Sequence, residues 1–262
     1  MAFQIIRHAF RMIFGNFEQA LRVSVGPYLL LIFAFIVVAG VVAPQAAFLD
    51  DPASGLPAGI GPLGLLVMIA MVIFALFVFG WVAVSWHRFI LLEEYSGALP
   101  AIAGRPVWPY VGRSILYGFL VGLAAIPIFF VIGLVASPFI GSNPEASPPI
   151  TALAVFVLAS AVLTFIWFRI GLALPGIAVG KPISLGQAWS ATSGKSGMIL
   201  GVAVLLMAIN GVAGIAVGFV AQILPIIGFV LNLFVQWVTF MLGISILTTF
   251  YGHLIENRPL VD

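Results

Sequence analysis

The chain has 262 residues, of which 63% are hydrophobic and 7% charged, with ten Lys or Arg against eight Asp or Glu. Soluble domains carry about 25% charged residues, so this composition cannot cover a water-facing surface. The thin basic excess excludes a phosphate-tracking nucleic-acid face, and the absence of Cys excludes disulfides, thiolate clusters and thiol nucleophiles.

Long apolar runs without period-two alternation predict spanning helices and exclude a β-barrel. Residues 1–24 predict an interfacial amphipathic helix. Phe3, Ile6, Phe10, Ile13, Phe14 and Phe17 recur at three- and four-residue steps, with Arg7, Arg11, Glu18 and Arg22 on or near the other side. Its apolar face suits either the headgroup region or the inner ends of a bundle. A cleaved secretory leader fits poorly, because the run Val25 to Val42 exceeds an h-region of about 7–15 residues.

Six spans are predicted at about 25–43, 63–86, 114–136, 150–168, 198–221 and 226–250. The connection from Pro44 to Pro62 carries Asp50 and Asp51, that from Ser137 to Pro149 carries Glu145, and the turn at Gln222–Pro225 is uncharged. None of the three holds a base. All ten basic residues (Arg7, Arg11, Arg22, Arg88, Arg105, Arg113, Arg169, Lys181, Lys195 and Arg258) fall in the alternate segments. By the positive-inside rule, both termini of this multi-pass protein are expected in the cytoplasm, and its layout and compactness point to a bacterial inner membrane. Trp86, Arg88, Trp167, Arg169 and Trp189 are the expected membrane-interface anchors, since indole favours the headgroup level and guanidinium snorkels.

Between spans, Gly97 to Pro109 reads as a turn-rich loop. Ser184 with Gln187 three residues on is a capping-box start for a short helix after Pro182. The whole is expected to be a single all-α membrane domain, 1–262. It divides into three helical-hairpin repeats, 1–99, 100–180 and 181–262. Trp86-His87-Arg88 and Trp167-Phe168-Arg169 close equivalent spans, and Ala9-Phe10 precedes Gly15-Asn16 as Ala188-Trp189 precedes Gly194-Lys195. The repeats would share one orientation, unlike inverted-repeat transporters.

This layout, the Trp86-His87-Arg88 close and the Ser184-Leu185-Gly186-Gln187-Ala188-Trp189 start resemble poorly characterised six-span bacterial inner-membrane proteins. These are similar to the membrane domain that accompanies some glycerophosphoryl diester phosphodiesterases. The resemblance implies a polytopic fold and carries over no catalytic residue.

Chemistry-bearing patterns are sparse. Gly-x-Ser-x-Gly and His-Glu-x-x-His are absent, and Glu93-Glu94 lacks the Arg of a glutamate intramembrane protease, with Ala98 in its place. His87 and His253 sit at the inner ends of two spans and are the one conceivable bis-imidazole pair, although no cofactor or metal is expected. No span carries a central charge, which argues against proton relays and ion-coupled sites. Asn210, Asn232 and Gln236 remain as polar groups at depth. Asn210 and Gln236 are expected to hydrogen-bond across the last hairpin, as interhelical glue or as the lining of a substrate path.

Gly118-x-x-x-Gly122, Gly197-x-x-x-Gly201 and Gly214-x-x-x-Gly218 offer close-packing faces, and Pro127 predicts a kink in the third span. Two functions follow as expectations. The first is a non-catalytic accessory, assembly or scaffold subunit contacting lipids and a larger membrane complex or its own copies. The alternative is a transporter or lipid-handling protein with a polar lining near Asn210 and Gln236.

Overall fold

The computed structural model describes residues 1–46, 62–140 and 149–260. Asp50, Asp51 and Glu145 lie outside them. The described residues are helical with no strand, in the order α1 (Ala2–Gly15), α2 (Phe17–Ala46), α3 (Pro62–Leu92), α4 (Val107–Ile140), α5 (Pro149–Gly171), α6 (Ala173–Ala178), α7 (Leu185–Ala191), α8 (Ser196–Ile223) and α9 (Pro225–Leu254). Six helical segments, formed by α2, α3, α4, α5 continued by α6, α8 and α9, are long and apolar enough to cross a membrane. In hydrocarbon no water can satisfy a free peptide group, so closing every hydrogen bond within a helix is the available solution.

Successive spans alternate in direction, and the ends that carry the basic residues come together. Arg258 Nη2 donates to Leu91 O at 2.9 Å, joining the ends of α9 and α3. Arg88 Nη1 donates to Ala178 O at 2.9 Å, joining α3 to α6. This basic end is where the protein is packed. Its fully or nearly buried residues include Ile5, Ala9 and Ile13 of α1, Val82 to Trp86 of α3, Leu172 to Leu174 around the start of α6, and Ile246 to Tyr251 of α9. Toward the opposite end the apolar side chains face outward, as Phe33, Phe35, Ile126, Phe130, Ile215 and Ile226 do. Lipid solvates such side chains as well as a protein interior would, so this half needs no core.

The helices overrun the expected spans mainly at the basic end. With 31 residues, α3 reaches about 46 Å at 1.5 Å per residue, against a hydrocarbon core of about 30 Å. The surplus, which includes α6 as the continuation of α5, forms a collar with α1 and α7 on one side of the apolar slab. The expected 1–24 helix is divided at Asn16, where α1 ends and α2 begins. α1 buries its isoleucines against α8 and α9 and leaves Phe3 and Phe14 exposed. Helix α4 runs through Pro127 unbroken from Val107 to Ile140. A short α7 starts at Ser184 with both halves of the capping box formed: Gln187 N donates to Ser184 Oγ at 3.1 Å, and Ser184 N donates to Gln187 Oε1 at 2.8 Å.

Candidate functional site

The collar is laced by polar residues on α3 and α9. Trp86 Nε1 donates to Ser245 Oγ at 2.9 Å. His87 Nδ1 lies 2.8 Å from Thr248 Oγ1, and His87 Nε2 lies 3.1 Å from Tyr110 OH. Thr248 Oγ1 gives its own proton to Ile244 O at 2.7 Å, so it must accept from His87 Nδ1–H. The Nε2 lone pair then accepts from Tyr110 O–H. One neutral tautomer satisfies every group in this relay, and the fully buried ring joins α3, α4 and α9.

A second tie sits where the chain leaves α3. Glu93 adopts φ 55°, a left-handed turn residue, and Glu94 N–H reaches back toward Arg88 O at 3.4 Å. This turn swings the Glu94 carboxylate onto Arg88, whose Nε donates to Oε2 at 2.9 Å. The same carboxylate receives Arg105 in a forked pairing, with Nη1 at 2.8 Å from Oε2. Burial first, then the Arg88 charge, lower the Arg105 pKa from its ordinary value. Nearby, Trp81 Nε1 donates to Pro100 O at 3.2 Å, and the Ala98 carbonyl sits so close to Gly26 that a side chain there would collide with it. The loop from Glu93 to Pro106 is therefore pinned to both α2 and α3.

A third tie holds α7. Arg169 is 8% exposed. Its Nε donates to Thr192 Oγ1 at 2.9 Å, its Nη2 donates to Trp189 O at 3.0 Å, and its guanidinium lies 3.7 Å over the Trp189 ring.

These positions revise the expected anchors. Trp86 is fully buried and ties two helices, and Arg169 is spent on α7. The expectation set the interface at the helix ends, whereas for these two residues the helices continue into a protein collar that supplies their partners. Arg88 is an ion-pair partner with an 18% exposed side chain, Trp167 is half-buried, and Trp189 is 46% exposed.

The polar residues at depth are also rearranged. Asn210 Oδ1 accepts from Thr239 Oγ1 at 2.6 Å, while Gln236 and Asn232 are exposed. Asn210 lies 14 residues before Leu224 and Thr239 lies 15 after it, whereas Gln236 lies 12 after it. At 1.5 Å per residue Thr239 comes within one residue of the depth of Asn210, and Gln236 is about half a turn short. The histidine pair is separate too. Both nitrogens of His87 are engaged as above, and His253 Nδ1 donates to Arg258 O at 3.1 Å. Among the described residues no three His, Asp or Glu side chains converge as metal ligands.

Just beyond the collar, toward the apolar half, is a cavity of about 250 Å³ walled by α3, α4, α5, α6 and α9. Phe79, Gly80, Phe240 and Gly243 supply apolar wall, Tyr110 and Thr239 supply hydroxyls already committed, and Ser114 supplies one that is not. Ser114 Oγ is buried without a hydrogen-bond partner among the described residues, as is Tyr117 OH three residues on. Leaving a hydroxyl so costs about 1–3 kcal/mol. Sequence reasoning passed over Tyr110, Ser114, Thr239 and the Ser245–Thr248–Thr249 set. The last was readable in principle: three hydroxyls spaced i, i+3, i+4 in an apolar helix mark a polar face seeking partners.

These features define an all-α, multi-pass membrane protein with a packed polar collar at one end of six spans. No protein-family model, curated protein or solved structure matches the chain.

Proposed function

We propose that the protein is a non-catalytic subunit of a bacterial inner membrane, its collar and termini cytoplasmic, that assembles with or scaffolds a larger membrane complex. One observation carries this reading. Gly118 and Gly122 on α4, and Gly214 and Gly218 on α8, have open space where a side chain would project, so among the described residues nothing packs against these faces. Gly201 differs, since it packs on Ala2 of α1. Small-residue faces of this kind let a second helix approach at backbone distance, where dispersion substitutes for the missing hydrophobic drive. The polar groups of the collar support the reading, because their hydrogen bonds are spent on holding helices together. The resemblance of the sequence layout to membrane domains that accompany phosphodiesterases agrees with a role beside a catalytic unit rather than as one.

Tagged protein extracted in mild detergent should retain a stoichiometric membrane partner, or a second copy of itself. Gly118→Leu with Gly122→Leu, or Gly214→Leu with Gly218→Leu, should release it while the subunit stays folded. Recovery of a solitary protein from native membranes, identical for wild type and both double variants, would count against the proposal.

Lipid handling is the second reading. It is favoured by Thr239, which links Asn210 to the wall of the cavity. Movement of labelled lipid between reconstituted vesicles would favour it over scaffolding.

A further inference from the structure

We infer that the cavity between α3, α4 and α9 holds the ester-proximal part of one acyl chain of a membrane glycerolipid, with Ser114 Oγ–H donating to the ester carbonyl. This deepens the lipid-handling reading in that it names the ligand of that cavity, yet a bound lipid also suits a scaffold.

The cavity has both the space and the lining for an alkyl chain. An apolar cavity of about 150 Å³ can hold benzene, so about 250 Å³ here accommodates a longer alkyl segment. Phe79, Phe240 and Leu76 give it apolar walls, and Leu76 at its rim is 39% exposed on the span surface. The cavity therefore reaches the surface that meets lipid tails. Toward the collar the cavity is closed by Leu174 and Leu247, both at most 2% exposed, so among the described residues a ligand from the basic end has no comparable route.

One hydroxyl beside the cavity is unpaired among the described residues. Tyr110 and Thr239 have spent their protons on His87 and Asn210, and Ser114 has not. The Ser114 Oγ is itself almost inaccessible, so it meets a ligand by turning about χ1 toward the cavity that its residue lines, a rotation that breaks no hydrogen bond among the described residues. One free donor beside an apolar wall suits an acceptor carried on a chain, such as an ester carbonyl. Depth agrees with this. Ser114 directly follows Arg113, an exposed cation at the basic end of α4, and cations at span ends mark the headgroup level. The ester linkage of a glycerolipid lies just beneath that level.

Gly243 makes the proposal testable. It lines the cavity, and a β-carbon added there meets nothing within 4 Å, so leucine can enter without displacing backbone. The full chain would be reconstituted into phosphatidylcholine–phosphatidylglycerol vesicles. These would contain a phosphatidylcholine with a diazirine near the carbonyl end of one chain, in ester-linked and ether-linked forms. After photolysis, peptides carrying Phe79–Gly80, Ser114 and Phe240–Gly243 should be labelled above the lipid-facing peptides of Phe33 and Ile215. Gly243→Leu should abolish that excess without lowering the unfolding temperature. Ser114→Ala should reduce ester-probe labelling about threefold to tenfold, to the level of the ether probe.

Cavity labelling no greater than that of the exposed faces, or unchanged in Gly243→Leu, would overturn the site. Equal labelling by ester and ether probes in the wild type would overturn the role of Ser114. A transfer assay in the same vesicles reads lipid movement separately: site labelling without movement sinks the lipid-handling reading and leaves this inference standing.

Discussion

His87 shows how a polar side chain earns its place among apolar helices. Its two nitrogens take one donor and one acceptor, and replacing the ring by Phe would leave Tyr110 OH unpaired in a buried site while Thr248 keeps its bond to Ile244. The expected loss for His87→Phe is about 1–3 kcal/mol in detergent unfolding, and Tyr110→Phe in the same background should recover part of it. Glu94 is different in kind, because one partly exposed carboxylate balances two guanidiniums. Glu94→Gln should cost about 1–3 kcal/mol, between the values for exposed and buried pairs, and should free the 93–106 loop for protease cleavage. Glu93, by contrast, is a non-glycine in a left-handed turn. Glu93→Gly should be neutral or stabilising by up to about 1 kcal/mol, which separates backbone strain from charge at adjacent positions.

Helix α9 organises its neighbours: Ser245 and Thr248 hold α3, Thr239 holds α8, and the indole of Trp237 donates to Ser24 of α2 at 2.9 Å. Because Asn210 is half-buried with a partner and Gln236 is exposed, the two should respond differently to substitution. Asn210→Leu should cost about 0.6–2 kcal/mol, while Gln236→Leu should leave the unfolding temperature unchanged. The short α7 depends on its cap, so Ser184→Ala should cost about 0.5–2 kcal/mol. That substitution should also loosen Trp189 from Arg169, read as a change in indole fluorescence.

The apolar runs, the capping box and the small-residue pairs were legible along the chain, since each follows from spacing within one helix. Which partner Asn210 takes, and whether Trp86 meets a headgroup or Ser245, depends on helix length beyond the apolar slab and on rotation of one helix against another. Neither is written in local composition. The collar in particular was hidden, because most of its packed residues are as apolar as those facing lipid and its few polar ones are spread over several helices.

The protein as a unit is asymmetric along its long direction. One end is dense, polar-laced and basic, and the other is an open set of apolar helices whose outward glycines invite further packing. That asymmetry makes physical sense if the dense end stands in the cytosol, where cationic side chains stay on their side of synthesis and where α1, α6 and α7 need a core of their own. The absence of native Cys permits a direct measurement of this claim. Single cysteines placed at Lys181, Lys195, Leu224 and Ile226 would be exposed to a membrane-impermeant maleimide in cells with a permeabilised outer membrane and an intact inner one. Positions 224 and 226 should react at once, and 181 and 195 only after the inner membrane is opened. Reaction at 181 or 195 in sealed cells, with 224 silent, would invert the molecule and contradict the account.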